Sequence, residues 1–153
     1  MIEEKLSSIG IRLSSPPQPI GSYVPVVQIG NLIFVSGQIP LIQGTLPEKY
    51  VGKIPSKVSM IDAVQASKQC TINALEQINK VLGNLERITK FVKITGYVNC
   101  DPSFKDHPKV INGASDFLLE IFGEKGKHSR VATGANSLPL ESIVEIDFLC
   151  EVN

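Results

Sequence analysis

The alternation of apolar and polar residues changes period several times along the chain, and each change marks a structural element. Leu6, Ile9 and Leu13 recur at spacings of three and four, which predicts a short helix over residues 2–13; Ser14-Ser15-Pro16-Pro17-Gln18-Pro19 then breaks it. Tyr23–Ile29 and Leu32–Gln38 are β-rich runs separated by Gly30-Asn31, a pair suited to the positive-φ positions of a hairpin turn. Residues 41–58 carry Gly, Pro and Lys without periodicity and read as a long surface loop. Ser59 precedes Asp62 by three, as an N-terminal cap would, and Ala63, Ala66, Cys70, Ala74, Leu75, Ile78 and Leu82 form a helical stripe that Gly83 ends.

Between Ile88 and Cys100 the even positions Ile88, Val92, Ile94, Val98 and Cys100 are apolar, Lys90 and Gly96 being the exceptions, which predicts a strand with one face buried. Asp101-Pro102 suits a cap followed by a first-turn proline, and Val110, Ala114, Phe117, Leu118, Ile121 and Phe122 supply the stripe of a second long helix closed by Gly123 and Gly126. Two last strands follow, over about 130–137 and 143–152, joined near Pro139. The order is ββαβαββ, an α+β pattern with hairpins at both ends and both long helices on one sheet face. On the last strand Val144, Ile146, Phe148, Cys150 and Val152 share one face, and Ile143, Glu145, Asp147, Leu149 and Glu151 the other. The second set is amphipathic, as a subunit interface would be.

Composition narrows the possibilities. The 153 residues fit one domain, and 42% hydrophobic with 20% charged residues is an ordinary globular balance. Fifteen acids offset fifteen Lys and Arg, so no basic field draws in nucleic acid. Three cysteines without CxxC spacing argue against a disulfide framework or a zinc site. No apolar run approaches the roughly 20 residues that span a bilayer, and Met1-Ile2-Glu3-Glu4-Lys5 begins no signal peptide, which makes the cytoplasm the expected location. No glycine fingerprint for a nucleotide is present.

Arg130 stands out among the polar residues, since a guanidinium matches a carboxylate with a rigid fork and stays charged in any surroundings. The turn at Leu138-Pro139 puts its strand next to the one bearing Glu145 and Asp147, so a cation and two acids are expected on neighbouring strands. Either acid suits the task of orienting an attacking water, and strand parity does not separate them. His107 is expected to face solvent; His128, two positions ahead of Arg130, is the lesser candidate for the pocket.

These residues carry a resemblance. Lys127-His128-Ser129-Arg130-Val131, Leu138-Pro139 and Val144-Glu145-Ile146-Asp147, read with Gly21-Ser22-Tyr23 and Ser36-Gly37-Gln38-Ile39-Pro40, resemble the Rid family of reactive intermediate deaminases, also called YjgF. The resemblance spans about 20–153, leaving 1–19 as an N-terminal extension with a short helix. It implies a chorismate-mutase-like fold, a mixed six-stranded sheet with two helices on one face, assembled as a trimeric barrel with sites between subunits. By the same resemblance Arg130 binds the substrate carboxylate, Glu145 rather than Asp147 orients water, and Tyr23, Ser36, Gly37 and Asn112 line the pocket. No cofactor and no metal are implied. The chain differs from the family pattern in having His128-Ser129 for Pro-Ala, Ser115 for a tyrosine and Ala132 for cysteine or threonine.

The implied activity is hydrolysis of enamines and imines such as 2-aminoacrylate to 2-keto acids and ammonia, in a cytoplasmic homotrimer that contacts neither membrane nor nucleic acid. The alternative is a regulatory binder of small carboxylates with little turnover. An endoribonuclease or translation inhibitor is the weaker third reading, given the neutral charge and absence of tryptophan.

Overall fold

The structure, a computed structural model, describes residues 1–19 and 21–153. Ile20, where the expected 20–153 domain starts, lies outside the described residues. The elements are α1 (Ile2–Ser8), β1 (Val26–Ile29), β2 (Leu32–Gln38), α2 (Met60–Leu82), β3 (Ile88–Asn99), α3 (His107–Phe122), β4 (Ser129–Ala135) and β5 (Val144–Val152), with 3-10 turns between some of them. The order ββαβαββ therefore holds after a first short helix. None of the described helices is long and apolar enough to cross a membrane.

The five strands form one mixed sheet in the order β1-β2-β5-β3-β4. Among the described residues five strands stand where the resemblance implies six; residues 41–58 contribute only isolated bridges, Ile42 to Thr45, Val51 to Ser142 and Ile54 to Cys100. That segment is also less of a surface loop than its composition suggests. Tyr50, Ile54 and Val58 are buried, and Tyr50 and Glu141 carbonyls accept from the Ile143 and Gly52 N–H groups, so the segment closes one end of the sheet.

The second hairpin does not form. β4 pairs in parallel with β3, while β5 lies antiparallel between β2 and β3. Burial explains the choice. Every second residue of β5, from Val144 to Val152, is buried, and a central position covers that face along its whole length. β4, with Arg130, Thr133 and Gly134, is polar and small enough for an edge. Arg130 and Glu145 therefore do not sit on neighbouring strands.

α2 and α3 pack side by side on one sheet face, as the stripes predict. Ser59 Oγ accepts the Asp62 N–H at 3.1 Å at the start of α2, and Gly83 closes it at φ 72°. The helices approach backbone to backbone at Gly113, where a β-carbon would fall 2.1 Å from the Val64 carbonyl oxygen. α3 begins at His107, five residues after the expected start. Asp101 is engaged elsewhere, accepting from Ser56 N and Oγ at 3.1 and 3.0 Å, and the chain turns before Asp106 and Pro108 open the helix.

β3 departs from strict alternation. Register shifts near Lys90 and Val92 put Phe91 in the core and leave Val92 exposed, so the even-numbered face is interrupted where the bulge inserts a residue. α1 stops at Ser8, short of Leu13, and buries Ile2 and Leu6 against the end of α3. The sheet face away from the helices exposes Val27, Ile29, Phe34, Tyr97 and Val131, an apolar surface without cover in a single chain.

Candidate functional site

Strand alternation sorts the candidates into two groups on opposite faces of the sheet. Glu145 and Asp147 alternate with buried Val144, Ile146 and Phe148, and so point away from α2 and α3. Gly37 lies directly beside Glu145: a β-carbon there would stand 2.2 Å from Glu145 Oε1. The close approach accounts for glycine in Ser36-Gly37-Gln38, at the irregular step where β2 shifts register against β5. Ser36 Oγ donates to the Val24 carbonyl at 3.1 Å, which ties this edge to the exposed Tyr23. Tyr23, Ser36, Gly37 and Glu145 thus share one side of the molecule.

Glu145 is half-buried and makes no hydrogen bond or ion pair with the described residues. Burial pushes its carboxyl above the ordinary range, and the nearby Asp147 adds to the rise. Asp147 is raised by burial too, with cross-strand Thr95 and the Lys93 ammonium pulling the other way. Folded values above unfolded ones mean that ionisation costs the folded state more, so stability declines as pH rises from the ordinary carboxylate range through the raised values. Asp147→Asn is accordingly expected to raise the midpoint of thermal unfolding at neutral pH. The gain should vanish below about pH 3.5, where both states are protonated, as a pair of melting curves would show.

Arg130 belongs to the other face. Its register partner on β3 is the buried Ile94, and its side chain reaches α3. Nη1 donates to Asn112 Oδ1 at 2.8 Å and to Ser115 Oγ at 3.0 Å, while Nη2 lies 3.4 Å from the Pro108 carbonyl oxygen. The two Nη1 protons are thereby engaged, and Nε has no partner among the described residues. Asn112, expected only to line the pocket, bonds Arg130 directly and so orients the guanidinium. With β3 between them, the axes of β4 and β5 stand roughly 10 Å apart. Within one chain Arg130 and Glu145 do not face a common pocket.

His128, the lesser candidate for the pocket, and Ser115, a departure from the family pattern, both join the group around Arg130. His128 Nδ1 lies 2.6 Å from the Gly126 carbonyl, which only accepts, so Nδ1 carries the proton. Burial keeps the imidazole below its ordinary pKa, and Arg130 and Lys90 reinforce this against the Gly126 bond. The neutral ring therefore presents a bare Nε2, 2.9 Å from Ser115 Oγ. The bonds run in one direction: Arg130 Nη1 donates to Ser115, Ser115 donates to His128, and His128 donates to Gly126. A signal was present in the sequence, since both residues depart from the family pattern, at positions separated by 13 in the chain. His107, expected in solvent, is instead half-buried, 3.4 Å from Cys100 Sγ and edge-on to Phe104.

Comparison with known proteins adds the wider setting. The profile of the family described as "YjgF/chorismate_mutase-like, putative endoribonuclease" matches residues 3–152. Protein TCP17 of Trypanosoma cruzi is 34% identical over 99% of this chain and 94% of its own length. The crystal structure of protein Atu1372, of unknown function, from Agrobacterium tumefaciens superimposes with a TM-score of 0.92 at 36% identity, covering 99% of this chain and 92% of that one. A more distant relative, 23% identical over 88% of this chain and 91% of its own length, is the 2-iminobutanoate/2-iminopropanoate deaminase of Dermatophagoides farinae. With nearly its whole length matched by that profile, and with a mixed α+β sheet of the same class, the chain belongs to the YjgF, or Rid, family.

Proposed function

We propose that the protein hydrolyses small enamines and imines that carry a carboxylate, releasing 2-keto acids and ammonia. The observation that carries this reading is Arg130, a guanidinium fixed by α3 with its Nε edge free for an anion. Family membership and the deaminase name of one relative support the same chemistry. The enamine becomes its imine tautomer by moving a proton from nitrogen to carbon. Arg130 holds the carboxylate, and Glu145 accepts a proton from the water that adds to the imine carbon. The imine nitrogen takes that proton from Glu145 to become the amine of the carbinolamine, then takes the hydroxyl proton, so that the C–N bond breaks, ammonia leaves and the C–O bond becomes the ketone carbonyl. The uncatalysed step is easy, so positioning and charge complementarity are enough.

Because Arg130 and Glu145 point to opposite faces, the site needs two copies of the chain. Arg130 and Asn112 of one subunit meet Tyr23, Ser36, Gly37 and Glu145 of its neighbour, and the apolar face around Phe34, Tyr97 and Val131 is the surface that docking covers. A closed homotrimer satisfies this with three equivalent sites.

The test mixes two inactive chains. Arg130→Ala and Glu145→Gln, co-expressed in equal amounts, should recover about a quarter of wild-type turnover, since a random site draws the intact arginine and the intact acid each with even odds. No recovery in mixed assemblies, verified by mass, would rule out a site shared between subunits. Ligand-induced stabilisation by a 2-keto acid without ammonia release in the wild type would favour the binder reading.

A further inference from the structure

We propose that Ser115 and His128 are positioning residues for the carboxylate clamp: Ser115, oriented by His128, joins Asn112 on Arg130 Nη1 and turns the Nε–Nη2 edge toward the ligand. The inference rests on the reading that Arg130 binds a carboxylate, and it specifies how. A guanidinium has two forks that match a carboxylate: an end-on pair, Nη1 with Nη2, and a side-on pair, Nε with Nη2. Here Nη1 donates at 2.8 Å to Asn112 and at 3.0 Å to Ser115. The end-on fork is thereby blocked. Nε is without a partner among the described residues, and the Pro108 carbonyl at 3.4 Å makes only a long contact to Nη2. The ligand is a carboxylate received side-on.

Ser115 can accept from Arg130 in a defined direction only because its own proton has a destination. That destination is His128 Nε2 at 2.9 Å, and the ring is held in this tautomer by the Gly126 carbonyl at 2.6 Å. A hydroxyl without such an acceptor would turn about its C–O bond, and the guanidinium would lose one of its two fixed contacts on Nη1. The two side chains come from different elements, α3 and the segment entering β4, so the bond also fixes Arg130's strand against the helix that orients it.

Calorimetric titration of the full-length protein with 2-oxobutanoate, alongside its uncharged amide, tests this. Ser115→Ala should weaken 2-oxobutanoate binding by about ten-fold or more, the size expected for a hydrogen bond to a charged group. Binding of the amide should stay near the wild-type value. His128→Phe, which removes the acceptor, should lose a comparable factor, and His128→Gln, whose amide oxygen reaches the place of Nε2, should recover most of it. In turnover assays the loss should fall on KM with kcat nearly unchanged.

Wild-type affinity in Ser115→Ala, equal loss for the acid and its amide, or His128→Gln no better than His128→Phe would each overturn the proposal. If Ser115→Ala fails to fold, the two His128 variants decide alone. Arg130→Lys separates the clamp from its positioning. Undiminished 2-oxobutanoate binding in that variant removes the clamp itself, whereas loss there with none in the Ser115 and His128 variants removes only their positioning role.

Discussion

Arg130→Lys is expected to lower kcat/KM for 2-aminoacrylate by about 10- to 150-fold, carried mainly by KM, the roughly 1.5–3 kcal/mol of a hydrogen bond to a charged group. An ammonium keeps the charge but has one nitrogen in place of three, so it cannot bond Asn112 and Ser115 while also presenting two parallel donors to a carboxylate. The fold should survive, because Arg130 lies on the edge strand β4 and its removal leaves no unpaired charge in the core. Ammonia release from freshly generated 2-aminoacrylate gives the rate, and a thermal melt reports the fold. A lysine variant with the wild-type kcat/KM would show that Arg130 does not hold the substrate.

Glu145→Gln should lower turnover by roughly 100- to 10,000-fold, the usual contribution of a general base, while binding of 2-oxobutanoate changes little. The amide fills the same space beside Gly37 but accepts no proton. Asp147→Asn should do much less. Its more informative effect is on the pH profile. Turnover requires ionised Glu145, whose carboxyl is held above the ordinary range first by burial and then by Asp147. Activity should therefore fall with decreasing pH at a midpoint above the ordinary carboxylate value, and Asp147→Asn should move that midpoint to lower pH. Strong loss confined to Asp147→Asn would transfer the role two residues along β5.

The long elements were open to local reading because each depends on a repeat within its own residues. The stripe from Ala63 to Ile78, with Ser59 and Gly83 at its ends, determines α2 almost to the residue, and alternation from Val144 to Val152 determines which face of β5 is buried. Asp101-Pro102 misled because a capping aspartate and a loop-tying aspartate look alike in sequence; the difference lies in Ser56, 45 positions away. The bulge in β3 that exchanges Phe91 for Val92 is likewise set by the partner strand.

Of the candidate site, the chain itself determined the chemistry: a guanidinium at 130, acids at 145 and 147 sharing one parity, and a glycine at 37 with no side chain to obstruct a neighbour. Only the tertiary structure decided how these meet. Strand order is a property of non-local pairing, and by inserting β5 between β2 and β3 it placed Arg130 and Glu145 on opposite faces, two strands apart. It also brought Ser115 on α3 to within 2.9 Å of His128, joining two departures from the family pattern into one hydrogen-bonded chain that orients Arg130. Periodicity carries the direction of a side chain relative to its own strand or helix, whereas the partner it reaches is set by how the sheet orders its strands and where the helices pack.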